Sequence, residues 1–167
     1  MRQIAGMFVL AVGFLLAAQP AAADSGQLYL KLPGVVGPVT VAGHTGEIAV
    51  LSFSLGVSSP TRMRRAELCS DLAVMKVLDQ TSPILFQHTM FGIDFKDITL
   101  TFTQANGAGK INDVFKLVMN NVSITSVQES GSSETPTESV SFHATSWTGS
   151  YWPTPGGAPV TTTVSCQ

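Results

Sequence analysis

Along most of this chain apolar and polar residues alternate with a period of two, the pattern of strands that bury one face and wet the other. Leu28, Leu30 and Leu32 alternate with Tyr29 and Lys31, and the run stops at the turn pair Pro33-Gly34. A stretch rich in Gly and Pro follows, through Gly37, Pro38, Gly43 and Gly46. From Glu47 the alternation resumes, with Leu51, Phe53 and Leu55 on one face and Ser52 and Ser54 on the other. Gly56 to Ala66 reads as a loop and Leu68 to Val77 as a strand of less regular period. The clearest strand is Ile98 to Thr103, where every second residue is apolar and the others are threonine. Asn106-Gly107 supplies turn chemistry, and Val114 to Val118 and Val122 to Val127 continue as strands. Glu129 to Glu138 has no apolar residue and reads as a polar loop, after which Ser139 to Tyr151 ends the pattern with Val140 and Phe142 turned inward. The expected core is Leu51, Phe53, Leu100, Phe102, Phe115, Leu117 and Phe142.

One helix interrupts the strands. Ser82-Pro83 marks its start, because a serine N-cap accepts a bond from a free first-turn amide and proline lacks a donor where none is needed. Ile84, Leu85, His88 and Phe91 fall on one face at helical spacing, and Gly92 is placed to end the helix. So short a helix needs packing against the sheets to exist. Six or seven antiparallel strands with a single inserted helix describe a mainly β fold, a β-barrel or sandwich of two packed antiparallel sheets with one short α-helix.

The two ends break the alternation. Residues 1–23 follow the plan of a secretory signal peptide: Arg2 in a basic start, an apolar run from Ile4 to Ala18, and Ala21-Ala22-Ala23 as an Ala-x-Ala cleavage site. The run is about fifteen residues, short of the roughly 20 that a membrane-spanning helix needs, so no integral membrane segment is expected after cleavage. Removal of residues 1–23 from the 167 leaves 144, the size of one domain. We place a β-barrel domain at 24–152 and a tail at 153–167 that is rich in Pro, Gly and Thr, lacks periodicity, and crosses the surface pinned by Cys166. The two cysteines, Cys69 and Cys166, both lie in the mature part, and an even count in an exported chain is read first as a disulfide. The alternative is two thiols that never meet. A secreted or periplasmic location follows from the leader.

Composition then narrows the partners. Charged residues are 12% of the chain, about half the ordinary share, and the formal net charge is -2. Hydroxyl side chains make the strand faces wet instead. Arg62, Arg64 and Arg65 form the one basic cluster, too little for a nucleic-acid partner, whose phosphates demand clustered Lys and Arg.

The order of these pieces resembles the haemolysin-coregulated protein (Hcp) family of bacterial type VI secretion, from about Leu28 to Tyr151. Gly46-Glu47-Ile48-Ala49-Val50-Leu51-Ser52-Phe53-Ser54-Leu55-Gly56 is similar to the family's Gly-Glu-Ile-x-Val-Leu-Ser-Trp-Ser-x-Gly, with Phe53 in place of tryptophan. Asp79-Gln80-Thr81-Ser82-Pro83 resembles the family's helix start, and Phe115-Lys116-Leu117 through Thr137-Glu138-Ser139-Val140-Ser141-Phe142 its closing strands. The resemblance implies a barrel of two sheets with a helix at one side, six copies of which form a ring around a wide channel. It implies a tube subunit or secreted carrier, with secretion-apparatus components or effector proteins as partners and no catalytic residue. The leader and the tail lie outside the resemblance.

Candidate chemistry is sparse. His44 lies in the Gly-rich loop, His88 on the helix and His143 on an outer strand face, and no two share metal-ligand spacing. Asp94 and Asp97 read as turn residues without the partners of a calcium loop. No nucleophile elbow or phosphate-binding loop occurs in the sequence. We therefore expect no enzyme, no cofactor and no metal site. Asn121-Val122-Ser123 has the form of a glycosylation sequon inside a strand. Trp147, Tyr151 and Trp152 are open to two readings, packing of Trp147 at the barrel end or an aromatic platform for a glycan or small ligand, which makes an exported monomeric binding module the alternative to a ring-forming protein.

Overall fold

The computed structural model describes residues 26–58, 68–106, 109–131 and 133–166. The leader, Gly107 and the loop with Pro60, Arg62, Arg64 and Arg65 lie outside the described residues. The first strands are β1 (Gly26–Lys31), β2 (Ile48–Val50), β3 (Ser52–Ser54), β4 (Val57–Ser58), β5 (Leu68–Cys69) and β6 (Leu72–Val77). Helix α1 (Ser82–Phe91) follows, then β7 (Phe95–Ala105), β8 (Ile111–Ser130), β9 (Thr137–Tyr151) and β10 (Val160–Ser165). All pairing is antiparallel, in the order β2-β1-β7-β8-β9-β6-β3, with β10 also on β9 and β4 paired separately with β5. Only Leu51 separates β2 from β3, so one bent segment pairs with β1 through its first half and β6 through its second. The sheet thereby returns on itself as a barrel, and its facing halves enclose the core.

The core contains Leu30, Ile48, Leu72, Leu85, Ile98, Leu100, Leu117, Val122, Val140 and Phe142, all buried. Leu100, Leu117 and Phe142 are where the alternation predicts them, while Phe102 and Phe115 are half-buried. Leu51 and Phe53 depart from expectation, being 57% and 39% exposed. At Leu51 the chain bends, its amide donating to the Met75 carbonyl at 2.7 Å, and the inward face changes from Ile48 and Val50 to Phe53 and Leu55. A fixed two-residue period cannot cross such a corner.

A second change of face lies in the long β8–β9 hairpin, a single pair of strands where the pattern suggests several shorter ones. Asn121 has a φ of 49°, a left-handed conformation that asparagine tolerates better than most residues. Its Nδ2 donates to Thr145 Oγ1 at 3.1 Å, and Thr145 Oγ1 donates to the Asn120 carbonyl at 3.3 Å. Inward positions run Leu117, Met119, then Val122, Ile124 on β8, and Phe142, Ala144, then Trp147, Gly149 on β9. The kink lets the lower half of the hairpin pack with β6 and the upper half with β7 and β10.

The tail runs over the surface as expected, and part of it, Val160–Ser165, is a strand. β10 pairs with Ser146–Tyr151 of β9, and β6 pairs with Thr137–Phe142 of the same strand, so β6 and β10 lie end to end along one edge. Cys69 and Cys166 are joined in a disulfide at that junction, with Cα atoms 5.4 Å apart. The Cys166 amide donates to the Thr145 carbonyl at the kink at 2.8 Å.

The helix start also differs in detail. Thr81, not Ser82, is the N-cap and makes no side-chain cap bond; Asp79 Oδ1 instead accepts from the Thr81 amide and hydroxyl at 2.8 and 2.6 Å. Gly92 ends the helix with a φ of 61°, the left-handed C-cap that favours glycine. Leu85 is buried and Ile84 and His88 are half-buried, but Phe91 is 72% exposed, off the packed face assigned to it.

Glu138 is the largest departure from the polar-loop reading. It belongs to β9 and is buried with Lys76, both side chains 0% exposed. Lys76 Nζ donates to Glu138 Oε1, to the Val77 carbonyl at 2.9 Å and to Ser82 Oγ at 3.3 Å, and sits 3.1 Å from Asp79 Oδ1. Ser82 Oγ donates to Glu138 Oε1 at 2.7 Å. The helix start is thus fastened to β6 and β9 by a buried ionic knot.

Candidate functional site

Three places concentrate chemistry or uncovered surface. The first is an apolar groove of about 380 Å³ at the open end of the barrel, lined by Phe53, Leu55, Phe115, Leu117, Trp147 and Tyr151, with Val160 of β10 at its rim. Phe53 and Phe115 stack with centroids 6.2 Å apart. Gly149 forms part of the wall, and a Cβ there would meet Trp147 Cζ3 at 3.6 Å and Phe115 Cε2 at 3.8 Å, ordinary contact distances. The groove continues the core outward because Trp147 and Gly149 inherit the inward face after the kink.

The second is a polar pocket of about 430 Å³ on the outside of the barrel, among Lys31, Thr99, Thr101, Lys116 and the loop carrying His44. His44 is 8% exposed and stacks on Tyr29 with centroids 4.2 Å apart. Its Nδ1 lies 2.8 Å from Glu47 Oε2 and its Nε2 3.6 Å from Asp113 Oδ1. Burial raises the Tyr29 phenol above its ordinary pKa; the Glu47 charge adds to the rise and a hydrogen bond with Thr103 opposes it. Gly37 lets the loop close: its amide donates to Gly46 O at 2.7 Å, and a Cβ would stand 2.2 Å from the Glu47 carbonyl oxygen. Nothing in the local pattern around His44 announces this partnership, since Asp113 comes from a distant strand.

The third is the outer face of α1, where Met90 is 77% and Phe91 72% exposed, with Phe86 and Ile93 beside them. From Gln80 to Ile93 the chain carries no Asp, Glu, Lys or Arg.

The structure keeps the three histidines apart. His88 stacks on Phe95 with centroids 4.7 Å apart, and its Nδ1 lies 3.2 Å from Ile93 O. His143 lies 3.1 Å from Asp71 Oδ1, whose other oxygen accepts from Thr125 Oγ1 at 2.6 Å. Among the described residues no group of three His, Cys, Asp or Glu is placed to hold a metal. Asp94 immediately precedes β7 and lies in no turn, and Asp97 lies within β7 opposite Asn120, so neither is the turn residue expected. The aromatics divide: Trp147 and Tyr151 line the groove, while the Trp152 ring lies 5.8 Å below Lys116 Nζ. The buried Lys76, Ser82 and Glu138 are within bonding distance but enclosed, so their arrangement secures the fold.

A family model described as "Type VI secretion system effector, Hcp" matches residues 29–151. The fold is similar to the crystal structure of Hcp1 from Salmonella typhimurium, with a TM-score of 0.73 and 21% identity over 84% of this chain and 94% of that one. A type VI secretion system effector from Yersinia pestis gives a TM-score of 0.69 and 23% identity, covering 83% of this chain and 98% of that one. The secreted protein Hcp3 from Pseudomonas aeruginosa gives 0.67 and 15%, covering 87% and 99%. No curated protein sequence matches the chain.

Proposed function

This chain belongs to the Hcp family of type VI secretion, the tube and effector-carrier proteins of that system, and from that premise we propose that six copies close into a ring around a channel. The reading rests on one observation, the family match from 29 to 151, which spans the barrel from β1 through β9 and leaves β10 as an addition to it. The role is structural, without a catalytic residue, and the partners are other copies of the chain, secretion-apparatus components or effector proteins. We assign residues 1–23 to a cleaved signal peptide, 24–152 to the barrel domain and 153–167 to a tail that contributes β10; the ring is accordingly assembled after export. Light scattering of the mature, oxidised protein across a dilution series tests the ring, with a constant mass of six protomers expected. A monomer throughout that series overturns it.

The apolar groove favours a second reading, a monomeric exported module that holds a small apolar ligand between Trp147, Tyr151 and Phe53. In that case the light-scattering mass is that of one protomer, and ligand binding quenches tryptophan fluorescence in a manner abolished by Gly149→Leu.

A further inference from the structure

The edge of β9 away from β8 is covered by two strands that are held in different ways. β6 covers the lower half, Thr137–Phe142, and turns the buried side chains of Leu72 and Val74 into the core. β10 covers the upper half, Ser146–Tyr151, and its residues are exposed apart from half-buried Val164. Besides backbone pairing, β10 is tied to β9 by two exposed hydroxyl pairs, Thr148 with Thr163 at 3.0 Å and Ser150 with Thr161 at 3.1 Å. Its one covalent tie is the bond from Cys166 to Cys69. A pair of strands without a buried face is marginal in water. Cys69 is the firmer end of that bond, since the chain passes from it directly to Leu72 of β6, which is 0% exposed.

We propose that the Cys69–Cys166 disulfide is a redox latch on β10: intact, it holds the strand along β9, and once reduced by a dithiol it lets β10 leave while the barrel persists. The chemistry is thiol–disulfide exchange. One thiolate of the dithiol attacks a sulfur of the bridge and its second thiolate resolves the mixed disulfide, so the dithiol is oxidised to a disulfide. Cys69 and Cys166 take up the two electrons and two protons and become thiols. Both cysteines are half-buried, so the bridge is not sealed inside the core. The barrel closes without β10, because the family match ends at residue 151 and the strand path from β2 to β3 does not include it. Release of β10 changes two surfaces at once. Val160, Thr161 and Thr162 line the apolar groove, which loses that wall. The β9 backbone from Ser146 to Tyr151 loses its partner, and an unpaired strand edge is a template for an added strand. On the export reading above, the latch is open in a reducing cytoplasm and shut after export; the latch itself requires neither export nor a ring.

Hydrogen exchange read by mass spectrometry tests it on the mature, oxidised protein before and after dithiothreitol under native conditions. The β10 amides that bond to β9 are expected to be protected while the bridge is intact. Reduction is expected to abolish protection across Val160–Cys166 and to leave it unchanged at Leu117–Met119 and Val140–Phe142, at the centre of the barrel wall. Reoxidation is expected to restore it. The double variant Cys69→Ser, Cys166→Ser is expected to match the reduced protein with or without dithiothreitol, which separates loss of the bridge from other effects of the reductant. Protection of β10 that survives both reduction and the double substitution overturns the latch. Loss of protection that spreads through β8 and β9 also overturns it, because the bridge would then hold the whole barrel and not one strand. Failure of the chain to be exported, shown by an uncleaved leader, overturns the export reading and leaves these outcomes unchanged.

Discussion

The buried pair Lys76–Glu138 offers the most demanding test of how the barrel is held together. Replacing Glu138 with leucine leaves an ammonium in the interior, since the Lys76 side chain is 0% exposed. Asp79 Oδ1 at 3.1 Å remains as a partly exposed counter-charge, and the Val77 carbonyl and Ser82 hydroxyl still accept from Nζ. The loss should therefore lie near the lower end for a broken buried pair, about 3 kcal/mol. Replacing Lys76 with methionine is harsher. Glu138 then keeps the Ser82 hydroxyl as a donor to Oε1, while its buried Oε2 has no hydrogen-bond partner in the structure, and the loss should approach about 5 kcal/mol. The double variant Lys76→Met, Glu138→Leu removes both charges and should lose only about 1–2 kcal/mol, far less than the two single losses together. Urea denaturation of the oxidised protein, read by tryptophan fluorescence, measures all three. A single variant that loses less than about 1 kcal/mol, or a double variant whose loss equals the sum, refutes the reasoning by showing that the pair is solvated or uncoupled.

Reduction of the disulfide, or Cys166→Ser, should lower stability by on the order of 4–5 kcal/mol in the chain-entropy account of so long a loop, the two cysteines being 97 residues apart; equal urea midpoints with and without reductant would contradict this. Phe142→Ala should cost roughly 3–5 kcal/mol and Leu51→Ser no more than about 0.5 kcal/mol, since one is fully buried and the other is 57% exposed; similar losses would mean that the bend at Leu51 is misplaced. Stability should fall as pH rises above 10.0, because an unfolded Tyr29 loses its proton there while the folded phenol, with its raised pKa, retains it. Tyr29→Phe should flatten that alkaline limb in pH-dependent thermal melts, and an unchanged limb would remove Tyr29 as its cause.

Strands that bury one face were legible where both their faces speak. Ile98 to Thr103 alternates cleanly because Ile98 and Leu100 turn into the core, and β9 does the same with Val140 and Phe142. The helix ends were legible from Pro83 and Gly92. β10 was not, because its residues are exposed except for half-buried Val164, and a strand without a buried face writes no alternation. The bend at Leu51 and the kink at Asn121 escaped for a related reason: each changes the inward face through backbone geometry, which residue type signals weakly. Glu138 looked like part of a polar loop because its partner, Lys76, lies 62 residues away. The site shows the same division. Trp147 and Tyr151 stood out as aromatics, but the groove they share with Phe53 exists only once β3 is brought across from the other side of the barrel.

The bent segment that closes the barrel has a dynamic consequence. β3 meets β6 through three residue pairs and β2 meets β1 through three, whereas β8 and β9 are zipped along most of their lengths. A cylinder opens at its shortest seam, and partial opening free energies follow how little is broken. Of these two equally short seams, β3 is exposed throughout while Ile48 and Val50 of β2 are buried, so breathing should begin between Ser52–Ser54 and Ala73–Met75, and amide hydrogens there should exchange well before those at the centre of the β8–β9 hairpin. Because Phe53 sits on that seam, each such opening also loosens one wall of the apolar groove. The β3 side is thus the pliant wall of that groove, able to adjust its width without disturbing the hairpin behind it.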